Sequence, residues 1–209
     1  MKKTIQIPVG SISLEGILVI PDCAVGLVIF AHGAGSSRLS PRNTFVATVL
    51  NKAGFATLLF DLLTEEEDLI YENRFDIPLL ADRLKAVTDW IKKQPNTKKM
   101  PLGYFGASTG AAAALIAAAE IGPSIKAVVS RGGRPDLAGN ALPKVKSSTL
   151  LIVGGDDTVV IGLNQNAYDQ MVCKKELAIV PGATHLFEEP GTLEKAAELA
   201  AKWFKKYLK

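Results

Sequence analysis

The sequence predicts an α/β chain: a mainly parallel central sheet with helices on both faces and an antiparallel hairpin at the N-terminus. Three observations carry this expectation. Short, continuously apolar runs such as Gly26 to Ala31 and Phe55 to Phe60 alternate with longer helical patterns, and a strand without a polar face must be covered on both sides. Strands alternating with helices imply right-handed crossover units and hence parallel pairing. The residues capable of chemistry, His32, Asp61, Ser108, Arg131, Asp157 and His185, each lie just beyond an expected strand. That is the carboxyl edge, where open α/β sheets bind their ligands.

Taken in order, Thr4 to Val9 and Ser11 to Ile20 alternate polar and apolar residues around Gly10, as the two strands of a half-buried hairpin do. Pro21 ends the second. The buried strand Gly26 to Ala31 runs into a polar glycine loop, His32-Gly33-Ala34-Gly35-Ser36-Ser37-Arg38. Pro41 fits the first turn of a helix reaching about Ala53, with Phe45, Val46, Val49 and Leu50 on one face. Gly54 stops it, and the strand Phe55 to Phe60 ends at Asp61.

The stretch from Leu62 to Arg74 is acidic in its middle and reads as a surface excursion. Leu80, Leu84, Val87 and Ile91 then recur at helical spacing between Asp76 and Lys93. Met100 to Phe105 is a strand and Ala111 to Glu120 a helix. Strands follow at Ile125 to Ser130, Thr149 to Val153 and Leu177 to Val180, with helices at Leu163 to Met171 and Thr192 to Leu208. No repeat, linker or low-complexity tract interrupts the chain. Residues 1–209 are therefore expected to form a single domain, which at this length buries a full core.

Bulk composition excludes several classes. With 48% apolar and 22% charged residues the chain is not of disordered composition. Its net charge of +3 comes with lysines clustered at a turn and at the last helix end, not in a basic stripe with aromatics, so no nucleic acid is expected as a partner. Cys23 and Cys173 are too few and too far apart for a disulfide framework or a zinc site, and two free thiols in a reducing compartment are expected. Met1-Lys2-Lys3 resembles the start of a secretory signal, but Gln6, Pro8, Ser11 and Glu15 interrupt any apolar stretch behind it. No run approaches membrane-span length. A soluble, cytoplasmic protein without a membrane partner, monomeric or homodimeric, is the expectation.

The chemistry centres on Gly106-Ala107-Ser108-Thr109-Gly110, between an apolar strand and an alanine-rich helix. A Gly-x-Ser-x-Gly in that setting matches a nucleophile elbow. Ser108 must sit on a sharp strained turn, and a side chain at 106 or 110 would collide with neighbouring backbone. A serine hydroxyl needs a base to take its proton, and the base needs a third group to fix its tautomer. The chain has two histidines. In a Ser-acid-His order the base comes last, which selects His185 and leaves His32 to shape its loop. The acid should leave the strand before the histidine loop, as Asp156 or Asp157, and spacing alone does not choose between them. The oxyanion requires two backbone N–H donors: Thr109, next after the nucleophile, and Ala34 of the glycine loop.

Together these pieces resemble the α/β-hydrolases, and among them the small, lidless dienelactone hydrolase-like group. The matching stretches run almost end to end. They are Phe30-Ala-His-Gly-Ala-Gly-Ser-Ser-Arg38 with Ser40-Pro-Arg-Asn43, Ala56 to Thr64, the Gly106 to Gly110 elbow, Ser130-Arg-Gly-Gly-Arg-Pro-Asp136, Gly154-Gly-Asp-Asp-Thr-Val-Val160 and Gly182-Ala-Thr-His-Leu-Phe187. The resemblance implies an α/β-hydrolase fold and, from the position of Val160, Asp157 as the acid. Dienelactone hydrolases usually carry cysteine as nucleophile. Ser108 in its place favours general carboxylesterase chemistry on small esters, through an acyl-enzyme and with no metal or organic cofactor.

Arg131 to Ser148 is too short for a cap domain, so an open, shallow acyl pocket is expected. Arg38, Arg74 and Arg131 lie on loops that would roof it, where the guanidinium fork suits a substrate carboxylate. Two rivals use the same fold: a non-catalytic scaffold, and a Ser-His-Asp site turned to lyase or perhydrolase chemistry. A fluorophosphonate probe separates the first from an enzyme, and a chromogenic ester panel separates the second from a hydrolase.

Overall fold

Gly10, at φ 60°, turns the chain between β1 (Lys2–Val9) and β2 (Ile12–Val19), which pair antiparallel in one continuous register. The alternating pattern buries Ile7, Leu14 and Leu18 on one face of this hairpin. The computed structural model, which describes residues 1–209, then follows the predicted alternation. β3 (Leu27–Ala31) leads to α1 (Pro41–Lys52), which is capped by Ser40 Oγ accepting from the Asn43 amide at 3.3 Å. β4 (Ala56–Phe60) leads into the acidic excursion. This holds a short helix, α2 (Glu65–Asp68), closed by a reciprocal Thr64–Glu67 capping box, and a 3₁₀ turn at Tyr71–Phe75.

Asp76 caps α3 (Ile77–Ile91), and β5 (Leu102–Ala107) runs through the elbow into α4 (Thr109–Ile121). β6 (Ile125–Arg131) is followed by a kinked 3₁₀ stretch, Pro135–Lys144, in the segment too short for a cap. β7 (Ser148–Gly154), α5 (Thr158–Gln170), β8 (Lys175–Val180) and α6 (Thr192–Tyr207) complete the chain. α5 begins at Thr158, earlier than the predicted Leu163. The β-branched run Thr158-Val-Val-Ile and Gly162 read against a helix, but the helix starts where the sharp turn after β7 releases the chain, and tertiary context overrides propensity.

The sheet has eight strands in the order β1-β2-β4-β3-β5-β6-β7-β8. Only the pairs β1/β2 and β2/β4 are antiparallel; β3 to β8 run parallel, as the uninterrupted apolar strands demand. Alternate residues of each strand enter two different cores. Leu27, Ile29 and Ala31 of β3 pack with α3, α4 and the hairpin, whereas Val28 and Phe30 pack with α1 and α6. α4 lies in the first core with Ala111 to Ala114, Ala117 and Ala118 fully buried. Small side chains on all its faces let it press against both the sheet and its neighbouring helices. No helix is long and apolar enough to cross a membrane. Both cysteines are free, Cys23 exposed and Cys173 half-buried.

Candidate active site

The carboxyl ends of β3, β5, β6, β7 and β8 gather the residues singled out in the sequence. At the end of β5 the chain turns through Ser108 at φ 49°, ψ −124°, a conformation that costs a non-glycine residue on the order of 1–3 kcal/mol. The elbow is held because its flanks are bare. A Cβ on Gly106 would stand 2.8 Å from the Ala111 nitrogen, and one on Gly110 would strike the carbonyl oxygens of Ala31 and His32. Gly33 completes the seat: a Cβ there would lie 2.9 Å from Ser108 Cβ and 3.7 Å from its Oγ. The glycine loop thus lies directly on the serine, as the small residues at 33, 106 and 110 require.

His185 and Asp157 meet across the next pair of loops. His185 Nδ1 is 2.7 Å from Asp157 Oδ2, and the imidazole is more exposed than the carboxylate it faces. An ionised carboxylate accepts only, so Nδ1 carries the proton and Nε2 keeps its lone pair. The two loops are locked together by backbone as well. The Asp156 amide donates to the Ala183 carbonyl at 3.0 Å, and a Cβ on Gly154 would stand 2.7 Å from the Thr184 carbonyl oxygen. Asp156 itself faces solvent. Glu189 closes the histidine loop from the far side, accepting from the Thr184 amide at 3.0 Å and from its hydroxyl at 2.6 Å.

No hydrogen bond joins Ser108 to His185 in the structure. The turn after β6 touches both: the Arg134 amide donates to the Ser108 carbonyl at 3.1 Å, and a Cβ on Gly132 would lie 3.8 Å from His185 Cε1. Without bound substrate, hydrogen bonds of this kind are commonly long and tighten only in the reacting complex.

Ala34 and Thr109 are brought into direct contact, in a way the sequence did not suggest. The Ala34 amide donates to Thr109 Oγ1 at 3.0 Å, so the threonine hydroxyl occupies the donor selected for the oxyanion. Thr109 is buried, and as the first residue of α4 its own N–H has no acceptor one turn back. His32 behaves as a loop-shaping residue. It is buried, its Nδ1 lies 2.9 Å from the Gly33 carbonyl, and its Nε2 accepts from the Leu62 amide at 3.0 Å. Burial lowers its pKa, and a ring that both donates and accepts in this way is the neutral tautomer.

The three loop arginines already have partners. Arg38 forms ion pairs with Glu15 and Asp61, and its amide donates to Asp61. Arg74 grips Asp68 through Nε at 2.9 Å and Nη2 at 2.8 Å. Arg131 is buried and faces Asn43 and Phe187 with no carboxylate in contact. Arg38 and the acidic excursion line a surface hollow of about 530 Å³ between the hairpin and the glycine loop. Its walls include His32 but not Ser108, Asp157 or His185. A much smaller hollow of about 10 Å³ abuts Ala34, walled by Leu62, Leu63 and Leu80.

Comparison with known proteins agrees with this fold. A family model described as the dienelactone hydrolase family matches residues 14–209. A solved structure of a dienelactone hydrolase from Anabaena variabilis is 56% identical and superposes with a TM-score of 0.97, covering 100% of this chain and 99% of that one. The esterase Est1E from Butyrivibrio proteoclasticus shares the fold at 19% identity, with a TM-score of 0.82 over 97% of this chain and 98% of its own. Curated Mycobacterium tuberculosis proteins, provisionally named phosphoribosyl transferases, are 59% identical over 200 residues. That match takes in 96% of this chain but 45% of theirs, so the chain spans less than half the length of these relatives.

Proposed function

The chain belongs to the dienelactone hydrolase family, and from that premise we propose that it is a serine carboxylesterase for small esters, with Ser108, His185 and Asp157 as its triad. Hydrolase chemistry is what the family and its esterase-fold neighbours support. The finer reading rests on the 2.7 Å contact between His185 Nδ1 and Asp157 Oδ2, beside a strained serine that heads a helix.

In this reading His185 Nε2 takes the hydroxyl proton as Ser108 Oγ attacks the ester carbonyl. Asp157 holds the ring and stabilises the imidazolium that forms. His185 then returns the proton to the leaving alcohol, activates a water against the acyl-enzyme, and regenerates the serine. The Thr109 N–H carries the tetrahedral oxyanion directly, and the Ala34 N–H supports it through the Thr109 hydroxyl to which it donates. A lactone is a cyclic ester and opens by the same steps, its alcohol staying tethered to the acyl group. The name of the Anabaena relative supports that second reading. The phosphoribosyl transferase name belongs to whole proteins of which this chain matches 45%.

Because Thr109 Oγ1 accepts from the Ala34 amide, its own hydroxyl hydrogen is free to point at the oxyanion. Two linked donors polarise each other. Thr109→Val, which keeps the shape and removes the hydroxyl, is therefore expected to lower kcat about 10-fold or more, with little change in KM. Thr109→Ser should stay close to wild type. A valine variant at least as fast as wild type would mean that the hydroxyl merely fills the empty seat.

Substrate size follows from the segment between β6 and β7, which is too short to form a cap over a long acyl chain. Each methylene that cannot be buried forgoes about 0.8 kcal/mol. On a panel of chromogenic esters, kcat/KM should be highest from acetyl to butyryl and fall for longer chains. No turnover of any ester would refute the esterase reading, and a preference for long chains would refute the shallow pocket. A free carboxylate on the substrate would compete with Glu15 and Asp61 for Arg38 and with Asp68 for Arg74. The same panel with carboxylated esters reads out whether any of the three arginines serves that role.

A further inference from the structure

The proposed reaction leaves two stretches without a task, Ser40-Pro41-Arg42-Asn43 and Ser130-Arg131-Gly132-Gly133, and both converge on the loop that carries His185. Arg131 is the last residue of β6 and lies on the face that enters the α1–α6 core. Burial first, and the neighbouring charge of Arg42 second, together push its guanidinium down to about 10, so it remains protonated at neutral pH. Its Nη2 donates to Asn43 Oδ1 at 3.3 Å, and its Nε is buried with no partner. A buried cation without a counter-ion destabilises a fold, and an apolar side chain of the same size would pack there more favourably. Packing therefore does not explain the arginine.

What it does touch is Phe187. The guanidinium carbon lies 5.6 Å from the centroid of that ring, within the range of a cation–π contact. Phe187 comes two residues after His185, is buried, and holds φ at 58°, a conformation that a bulky residue keeps only when its surroundings enforce it. The loop is pressed from two further sides. A Cβ on Gly132, itself at φ 51°, would stand 2.9 Å from the His185 carbonyl oxygen, and Arg42 of α1 reaches Glu188 at 3.1 Å.

We propose that Arg131 is a positioning residue: seated on Asn43, it is the platform on which Phe187 stacks, and that stack fixes the backbone of the His185 loop against the elbow. This rests on the reading of His185 as the base. It assigns Asn43, Arg131 and Phe187 to one clamp, with Arg42–Glu188 as an outer strap, and it accounts for a charge kept where an apolar residue would be more stable.

The test uses Arg131→Met, Arg131→Lys, Phe187→Leu and the Met/Leu double variant, assayed on a neutral short-chain ester. Arg131→Met should lower kcat about 10-fold or more with KM nearly unchanged, because a small misplacement of a base costs rate and not binding. Its melting temperature should be equal to or higher than wild type. Arg131→Lys should recover part of the loss, and the double variant should be no slower than the worse single one. Amide hydrogen exchange should quicken across residues 183–188 in Arg131→Met while β5 and α4 stay protected. Wild-type kcat in Arg131→Met overturns the clamp. So does a loss confined to KM for carboxylated esters, which would make Arg131 a substrate contact. Should Arg131→Met fail to fold, Phe187→Leu carries the same expectation for kcat and exchange. If the wild-type protein neither turns over esters nor labels at Ser108, the esterase reading falls by itself. Loop exchange then still decides the clamp, since unchanged exchange refutes it.

Discussion

Ser108→Ala is expected to cut ester turnover by roughly 10³-fold or more, because the base and the oxyanion donors without their nucleophile retain little catalysis. A fluorophosphonate should add one adduct mass to the wild-type chain, on the peptide that holds Ser108, and none to the variant. Labelling that survives the substitution would move the nucleophile elsewhere. The fold should not suffer. Ser108 sits at φ 49°, where any residue with a Cβ is strained, so alanine inherits that strain unchanged. Ser108→Gly removes it, since glycine reaches positive φ without steric cost. It should be equally inactive and more stable by about 1 kcal/mol, a difference visible in thermal melts. An enzyme that gains stability on losing its nucleophile has stored strain at the point of reaction, and the pair of variants measures that store.

The elbow was legible in the sequence because its requirements are local. Gly106 and Gly110 fall within two residues of Ser108; a Cβ on Gly106 would strike Ala111 within the turn itself, and one on Gly110 would strike the Ala31 and His32 carbonyls at the end of β3. The apolar strands were legible for a related reason, since a strand buried on both faces has no polar positions to confuse its ends. The Ala34–Thr109 contact was not. It joins residues 75 apart in sequence, and no spacing rule says that a hydroxyl will occupy a neighbouring amide. The Arg131–Asn43 contact spans 88 residues. From the sequence Arg131 was one of three loop arginines; in the fold it is the last residue of a strand, and so it is buried where Arg38 and Arg74 are not. The start of α5 at Thr158 was less legible, because the turn after β7 that sets its first residue leaves no helical signal in Thr158 to Gly162. Chain order selected His185 from the two histidines, while the choice of Asp157 over Asp156 came from the resemblance and not from spacing.

The neighbouring aspartates allow a sharper test, because the same backbone presents them in opposite settings. Asp157 Oδ2 contacts His185 Nδ1 at 2.7 Å with its side chain 15% exposed, while Asp156 faces solvent and serves the site through its amide, which any residue supplies. Asp157→Asn replaces an obligate acceptor with a group that can donate. The imidazole can then turn its lone pair toward the amide and carry its proton on Nε2, where it is no longer a base for the serine. The expected loss in kcat is on the order of 10²- to 10⁴-fold. Stability should change by less than about 1 kcal/mol: Asp157 precedes α5 but caps no amide with its side chain, and only its favourable charge at the helix N-terminus is lost. Asp156→Asn should lower kcat no more than about twofold, as exposed substitutions that keep their backbone contacts do. Steady-state kinetics of both variants, compared where their melting curves show equal folding, rank the two carboxylates. If Asp156→Asn proved the slower enzyme, the acid would belong one residue earlier and the contact with His185 would be a surface pairing only.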